Sequence, residues 1–531
     1  MKSLWKMVRD ERFLLAGIIL AGLGLRLINL SVQPYWGDEL LSLAIINHFT
    51  SYGEMTRYLS QVEFHPPLYY VLLKPWIGAF GDAEVSTRSV SVLASLGTVV
   101  MTWLIGRRLF PGRKIGLVAA TLVTILPLQL EYAQEARPYA LFCLTTLVAA
   151  YGLVRYREGK RPWWLAMYVG SALASVYLHY SGSFGVIALG SWWLYEAYHE
   201  PKDARWKELR TWGLAHAALF LGFLPWLPFF LYKTLLGQFP LLGRGRNIIP
   251  NRQVFAFGKA FDLLIWTTKE QFVPMAALVS VLLAKCLLAV AVFFQVRSMG
   301  KEPLGRSDGG ALGFLLCFAG ITLSIFVLSP QSLAYSDIVV RHAIVASVPL
   351  MLLLAWLLCR LSWKQGAVLA SIFVITLLPF DAAVLGNDAE WDKEYQWQSI
   401  GTQIAAQSKP GDLVVVMLGG VRPDLVRYIP NDLHMATLYP TNFYDQDIWE
   451  GRDLLGIVEN DMQVRRAHSE SAAAVNEKLL RLDQQYHPKR VWLVGVPQDD
   501  IVTRQWFSPD KWRPAFTAIG DIYLLDLYSR K

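Results

Sequence analysis

Three short stretches in the first third of the 531-residue chain concentrate side chains that could do chemistry at a membrane surface. The first is Tyr35-Trp36-Gly37-Asp38-Glu39. Such a carboxylate pair can work as a general base, one acid taking a proton from an acceptor while the other orients it. It can equally cap a helix, where acidic side chains meet unpaired N–H groups and the positive end of the macrodipole. The second stretch, Glu63-Phe64-His65-Pro66-Pro67-Leu68-Tyr69-Tyr70, holds an acid, an imidazole and two phenols. His65 can donate to a phosphate or join Glu63 on a metal, although two ligands fall short of a metal site, and the tyrosines with Trp76 also suit an interfacial belt. The third, Glu131-Tyr132-Ala133-Gln134-Glu135-Ala136-Arg137-Pro138-Tyr139, carries a proline suited to a first helical turn, so Glu135 and Arg137 stand at a helix mouth.

Arg26, Arg88 and Arg341 fall within or at the outer end of apolar runs. Burying a cation there costs roughly 2.5 kcal/mol or more unless it is paired or reaches the interface. Several cations on one side, with carboxylates nearby, fit an anionic lipid head group, and His342 adds a donor beside Arg341.

These stretches must be held by membrane helices. The composition, 54% hydrophobic, 13% aromatic and 17% charged, excludes a simple soluble enzyme, a disordered chain, a coiled coil and a secreted disulfide scaffold. Apolar runs recur from Phe13 to about Leu385, many near the roughly 20 residues that cross ~30 Å of hydrocarbon. Cys143, Cys286, Cys317 and Cys359 all lie inside such runs and read as small hydrophobes.

Six basic clusters mark the cytoplasmic side: Lys2/Lys6/Arg9/Arg12, Arg107/Arg108/Arg113/Lys114, Arg155/Arg157/Lys160/Arg161, Lys202/Arg205/Lys207/Arg210, Arg297/Lys301/Arg306 and Arg360/Lys364. An even number of spans must separate each from the next. This predicts spans near 13–30, 88–109, 114–130, 136–156, 163–180, 182–199, 212–232, 274–297, 309–329, 341–360 and 364–385. The run 65–80, which opens on His-Pro-Pro, is left as a juxtamembrane or re-entrant segment. The expectation is eleven helices in the cytoplasmic (inner) membrane, with the N-terminus inside, the three chemical stretches outside and the first helix an uncleaved signal.

Residues 387–531 hold 16 Lys+Arg against 21 Asp+Glu, a net −5, leaving +13 for residues 1–386. A soluble, extracytoplasmic α/β domain (387–531) therefore follows a membrane domain (1–386), and near-neutrality of that tail argues against nucleic acid. In it, 390–408 and 472–485 read as helices and 413–418, 490–496 and 522–527 as strands. A long outer loop, 233–273, is suited to a lid or to acceptor binding, or is a surface loop.

Trp36-Gly37-Asp38-Glu39, His65-Pro66-Pro67-Leu68-Tyr69-Tyr70, Arg88 at the head of a helix, and Gln134-Glu135-Ala136-Arg137-Pro138-Tyr139-Ala140-Leu141, in this order and spacing, resemble glycosyltransferase family 39. That group is similar to protein O-mannosyltransferases and the lipid A aminoarabinose transferase, all of the GT-C fold. The resemblance covers residues 1 to about 385, with outer loops near 31–87 and 129–139 as the catalytic ones. It implies an inverting transfer of a single hexosyl or pentosyl unit from a polyprenyl-phosphate-linked sugar to a protein, lipid or polysaccharide acceptor. It further implies Asp38 as the base, with Glu39 beside it, and Glu135 positioning acceptor or sugar. Arg137, Arg341, His65 and Arg88 would hold the donor phosphate, and Tyr69, Tyr139 and His342 would line the substrate site. Relatives often carry Arg-Tyr where this chain has Arg341-His342. No cofactor is expected; nothing makes a convincing Asp-x-Asp metal site, and a divalent ion stays open. A ligase for polyprenyl-linked glycans and a flippase for lipid-linked sugars are the alternatives.

Overall fold

Prolines and polar turns cut the apolar runs into helices. The computed structural model describes residues 11–33, 35–61, 63, 65–232, 265, 282, 285–292, 306–324, 340–386, 396–418, 425, 428–430, 432–439, 480–495, 512–519 and 524–530. In chain order the first helices are α1 (Glu11–Leu27), α2 (Gly37–His48), α3 (Tyr52–Gln61), α4 (Leu68–Phe80), α5 (Glu84–Leu109), α6 (Ile115–Thr124), α7 (Pro127–Glu131) and α8 (Tyr139–Gly159). They are followed by α9 (Pro162–Leu178), α10 (Gly182–His199), α11 (Lys202–Phe223), α12 (Leu227–Leu231) and α13 (Arg306–Leu323). A 3-10 turn (Arg341–Ala346) then leads into α14 (Ser347–Arg360), α15 (Trp363–Leu385) and α16 (Gln396–Gln407). The chain divides into two compact units, Met1–Ser31 with His65–Asn387, and Val32–Phe64 with Asp388–Lys531. Residues 32–64, expected within the membrane domain, thus group with the tail.

In the first unit, the run expected as one helix over 114–130 is two, because Pro127 has no N–H to continue the ladder of α6 and instead opens α7. Proline likewise opens α9 at Pro162, and α8 closes on Lys160 in the left-handed conformation. A capping box starts α15, where Gln365 N–H donates to Ser362 Oγ and Ser362 N–H to Gln365 Oε1. The run 65–80, left as non-spanning, forms the 13-residue helix α4.

Close packing of α5 on α6 depends on facing glycines: a Cβ on Gly116 would sit 2.6 Å from the Trp103 carbonyl oxygen, and one on Gly106 2.6 Å from Gly116 Cα. Buried polar groups cross the same core. Arg26 Nε donates to Ser95 Oγ (2.9 Å), and its Nη1 to the carbonyls of Gly22 (3.1 Å) and Thr124 (3.2 Å). Ser95 Oγ donates to the Gln129 carbonyl (3.3 Å), Gln129 Nε2 to Ser347 Oγ (3.0 Å), and Ser347 Oγ to the Ile344 carbonyl (2.7 Å).

The helices of this unit have two chemically distinct ends. At one, ion pairs join Arg107 to Glu11 (3.9 Å), Arg108 to Glu158 (3.7 Å), Arg113 and Arg360 to Asp308 (2.7 and 3.7 Å), and Arg157 to Glu200 and Glu208 (2.9 Å each). Members of three of the basic clusters therefore gather at one end. At the other, Arg88 Nη1 donates to the Leu30 carbonyl (2.9 Å) and Asn29 Nδ2 to the Leu385 carbonyl (2.7 Å), tying the last turns of α1 and α15 to the start of α5.

Among the described residues four helical stretches are long and apolar enough to cross a membrane: Glu84–Leu109, Tyr139–Gly159, Arg341–Arg360 and Trp363–Leu385. Shorter apolar helices run over Ile115–Thr124 and Asp308–Leu323. Most of the run 274–297, and the loop 233–273 apart from Ile265, lie outside the described residues.

The second unit contains α2, α3, α16 and a sheet of β1 (Leu413–Leu418), β2 (His434–Tyr439), β3 (Arg490–Gly495), β4 (Trp512–Ile519) and β5 (Leu524–Arg530), in the order β2-β1-β3-β5-β4. Strands β2 and β3 pair parallel to β1, and β5 runs antiparallel to β3 and β4. Ile400 and Ile404 of α16 pack on Val414, Val416, Trp492 and Val494. Buried Asp412 pins the strand starts, accepting from Arg490 Nε (2.9 Å) and Trp492 Nε1 (3.0 Å). The three strands expected from sequence are found; β2 and β4, which were not, are the sheet edges, and β4 carries Pro514 at a bulge.

Replacing Gly116 by Val should lower the thermal midpoint of the detergent-solubilised protein, at a cost of about 1–3 kcal/mol from overpacking. Gly24→Ala, whose Cβ would meet nothing within 4 Å, should leave the midpoint unchanged.

Candidate active site

At the end of the first unit opposite the ion pairs, polar and aromatic side chains from four places in the sequence converge. Pro138 ends the 131–138 loop, so Tyr139 begins α8 and Arg137 is held just before it. The loop is anchored from within: Gln134 Nε2 donates to the carbonyls of Ile28 (2.7 Å) and Arg26 (3.2 Å), and Ser91 Oγ to that of Arg137 (3.4 Å). Arg137 is buried, and its Nη2 lies 3.3 and 3.5 Å from the two ring nitrogens of half-buried His65. Arg341, first in its 3-10 turn, sets its guanidinium carbon 5.3 Å from the Tyr139 ring centroid, a cation–π distance.

His179 joins these groups. The turn Leu178-His179-Tyr180-Ser181-Gly182 between α9 and α10 carries it, and its side chain is buried. Its ring stacks on Phe142 at 5.1 Å and lies 4.7 Å from His342, 5.4 Å from His65 and 5.6 Å from Tyr139, centroid to centroid. Tyr132 completes the cluster 5.3 Å from Tyr139. Burial, then His342, His65, Arg341 and Arg137, hold the His179 imidazole well below the usual histidine range. Its Nδ1 accepts the Ser181 N–H at 3.1 Å, so the neutral ring carries its proton on Nε2. Burial and the carboxylates of Glu131 and Glu135 push the Tyr132 phenol up, keeping it protonated.

The expected site residues divide accordingly. His65, Arg137, Tyr139, Arg341 and His342 meet around His179, with half-buried Glu135 in the same loop as Arg137. Tyr69 is buried in the first turn of α4, its ring edge against Tyr70 at 5.8 Å. Arg88 gives a guanidinium N–H to the Leu30 carbonyl, and Arg26 is committed to Ser95 and two backbone carbonyls. Asp38 and Glu39 belong to the second unit, in the first turn of α2. Glu39 is fully buried and its Oε2 accepts the Trp36 N–H at 3.3 Å, so Glu39 caps this helix. Asp38 is half-buried, and its carbonyl accepts from Ser42 Oγ at 3.0 Å. Glu63 is buried in the same unit, where burial and then the Glu63 carboxylate push the Tyr58 phenol up. Among the described residues no three His, Cys, Asp or Glu side chains are grouped to hold a metal ion. His179 was not among the expected residues; its signal was the polar interruption His-Tyr-Ser between two apolar runs.

Residues 64–229 match the family model described as dolichyl-phosphate-mannose-protein mannosyltransferase. No curated protein matches the sequence. Among solved structures, that of ArnT from Cupriavidus metallidurans bound to undecaprenyl phosphate aligns with a TM-score of 0.61 at 14% identity, over 96% of this chain and 97% of that one. The apo state of the same protein gives 0.50 at 12% identity over the same shares. The S. cerevisiae protein O-mannosyltransferase Pmt1-Pmt2 complex bound to the sugar donor aligns at 17% identity and a TM-score of 0.35, over 43% of this chain and 34% of that chain. The chain thus has a mostly helical, ArnT-like fold, with four helical stretches among the described residues long and apolar enough to cross a membrane.

Selective 15N labelling of histidine in lipid nanodiscs should show His179 with an unprotonated Nδ1 and a protonated Nε2, and no titration near pH 6.5, where exposed histidines change charge. Unfolded His179 takes up a proton that the folded site refuses, so its contribution to stability is lost as pH falls below that range. A His179 that titrates near pH 6.5 would contradict this geometry.

Proposed function

We propose that the protein is a glycosyltransferase whose donor is a sugar linked to a polyprenyl phosphate. The observation that carries this reading is the convergence of Arg137 and Arg341 with His65, His179 and His342 at one end of a membrane-helix bundle. A lipid-phosphate donor cannot leave the membrane, so its reactive carbon must be met by groups at helix ends. Two guanidinium groups with imidazole donors between them suit a phosphate there. The family pattern over 64–229 and the ArnT-like fold support the same reading, ArnT having been crystallised with undecaprenyl phosphate.

In the proposed reaction the acceptor hydroxyl or amine gives its proton to Asp38 as it attacks the anomeric carbon. The bond from that carbon to the phosphate oxygen breaks with inversion, and its electron pair stays on the phosphate. Negative charge grows on the leaving group, where Arg137, Arg341 and His65 supply fixed positive charge and donors. Glu135 orients acceptor or sugar, Tyr69, Tyr139 and His342 line the substrate site, and Arg88 serves it by fixing the end of α1. The base role of Asp38 rests on the sequence pattern. The end bearing the ion pairs is the cytoplasmic one under the positive-inside rule, so transfer takes place on the outer face of the cytoplasmic membrane. The sugar is a hexose or pentose, and the acceptor a protein, a lipid or a polysaccharide.

The test is transfer by the purified protein, offered a panel of polyprenyl-phosphate sugars with membrane extract as acceptor. One donor should be consumed. Asp38→Asn should reduce turnover by about 100-fold or more while leaving polyprenyl phosphate affinity nearly unchanged. Arg137→Ala should weaken that affinity by about 10- to 100-fold. Movement of lipid-linked sugar across vesicles without consumption of any donor would instead favour a flippase.

A further inference from the structure

His179 is the most enclosed of the three imidazoles and the only one whose tautomer is fixed by the backbone. Its Nδ1 is occupied by the Ser181 N–H, and among the described residues its Nε2 takes part in no hydrogen bond. His65 spends a ring nitrogen on Arg137, whereas His342 makes no hydrogen bond among the described residues. The ring of His179 therefore lies between an apolar support, Phe142 at 5.1 Å, and a polar set, His342 at 4.7 Å, His65 at 5.4 Å and Tyr139 at 5.6 Å. An N–H held at a fixed angle on the polar side of such a ring is completed by a ligand oxygen that reaches it.

We propose that His179 is a ligand-binding residue, its Nε2–H donating to a phosphoryl oxygen of the polyprenyl phosphate that Arg137 and Arg341 attract. The proposal rests on the donor reading given above and deepens it. Division of labour follows from the chemistry. The guanidinium groups supply charge at long range, and His179 supplies direction: its ring is stacked on Phe142 and its Nδ1 edge is tied to the chain two residues on, so the Nε2–H vector is set before any ligand arrives. A cation in this position would face Arg137, Arg341 and two further imidazoles; a neutral donor meets the phosphate without that repulsion. The turn itself is encoded locally, since a side-chain acceptor at position i bonding the N–H of i+2 is the arrangement that Asn and Asp make in Asx turns.

That parallel gives the test. In His179→Asn the amide oxygen can still accept the Ser181 N–H, so the turn is kept while the Nε2–H is lost. In His179→Gln the longer side chain carries an amide N–H to about the Nε2 position. Binding of a synthetic polyprenyl monophosphate to the full-length protein in nanodiscs is measured for each, alongside the thermal midpoint. The expected result is that His179→Asn binds about 10- to 100-fold more weakly at an unchanged midpoint, while His179→Gln recovers most of the loss. Wild-type affinity in His179→Asn overturns the proposal and leaves the donor reading standing. A wild-type protein that binds no polyprenyl monophosphate overturns the donor reading itself, and this proposal with it. Should both variants fail to fold, the 15N-bonded Nε2 proton of His179 in the wild type decides: its resonance must move when polyprenyl monophosphate is added, and an unmoved resonance overturns the assignment.

Discussion

The guanidinium of Arg26, in the last turn of α1 and with no exposed surface, is the constraint on which the candidate site depends. A cation inside a helix bundle is tolerated where fixed acceptors compensate for its lost hydration. Arg26 meets that demand with Ser95 on α5 and backbone carbonyls of α1 and α6, and in doing so locks three helices in register. The lock is then passed on. Gln134 reaches the carbonyls of residues 26 and 28, which fixes the loop bearing Glu135 and Arg137. Ser95, Gln129 and Ser347 carry a second branch to the carbonyl of Ile344, in the turn that begins with Arg341 and His342. Two loops more than two hundred residues apart in sequence are thus oriented by one buried polar lattice.

The lattice also explains a division between arginines that look alike in sequence. Arg26 and Arg88 spend their donors on the scaffold, one on Ser95 and carbonyls, the other on Leu30, whereas Arg137 and Arg341 spend theirs beside imidazoles and a tyrosine ring. Buried scaffold cations raise the cost of local opening, because unfolding any one helix would leave a charge without acceptors in an apolar setting. A site built on such a scaffold can hold donors in place before substrate arrives, which is the condition for electrostatic stabilisation of a leaving phosphate.

Separation of the two helix ends has a functional sense as well. Ion pairs such as Arg113 with Asp308 and Arg157 with Glu208 draw the helices together at one end, whereas at the other Asn29, Arg88 and Gln134 donate to backbone carbonyls. Strong pairing at the first end leaves the second free to be shaped by aromatic rings and imidazoles.

Much of this protein was legible in its residues. Hydrophobic runs and proline positions defined α5, α8, α14 and α15 closely, and a continuous Val-rich stretch announced β1. Residue type and position brought out His65, Glu135, Arg137 and Arg341 as candidates, since acids, imidazoles and cations are conspicuous beside apolar runs, and the family resemblance gave them their roles. What spacing could not supply was which polar groups would meet. The break at Pro127, the edge strands β2 and β4, and the grouping of 32–64 with the tail all depend on contacts between distant segments. His179 is the plainest case: read along the chain it is a polar interruption between two apolar runs, and its importance comes from Phe142, His342, His65 and Tyr139 arriving around it from three other segments. Residue types and their periodicity are local properties and determined the membrane class, the helix ends and the chemistry on offer; the pairing of guanidinium with imidazole, and of scaffold cation with carbonyl, is a property of distances across the fold and was decided by tertiary packing alone.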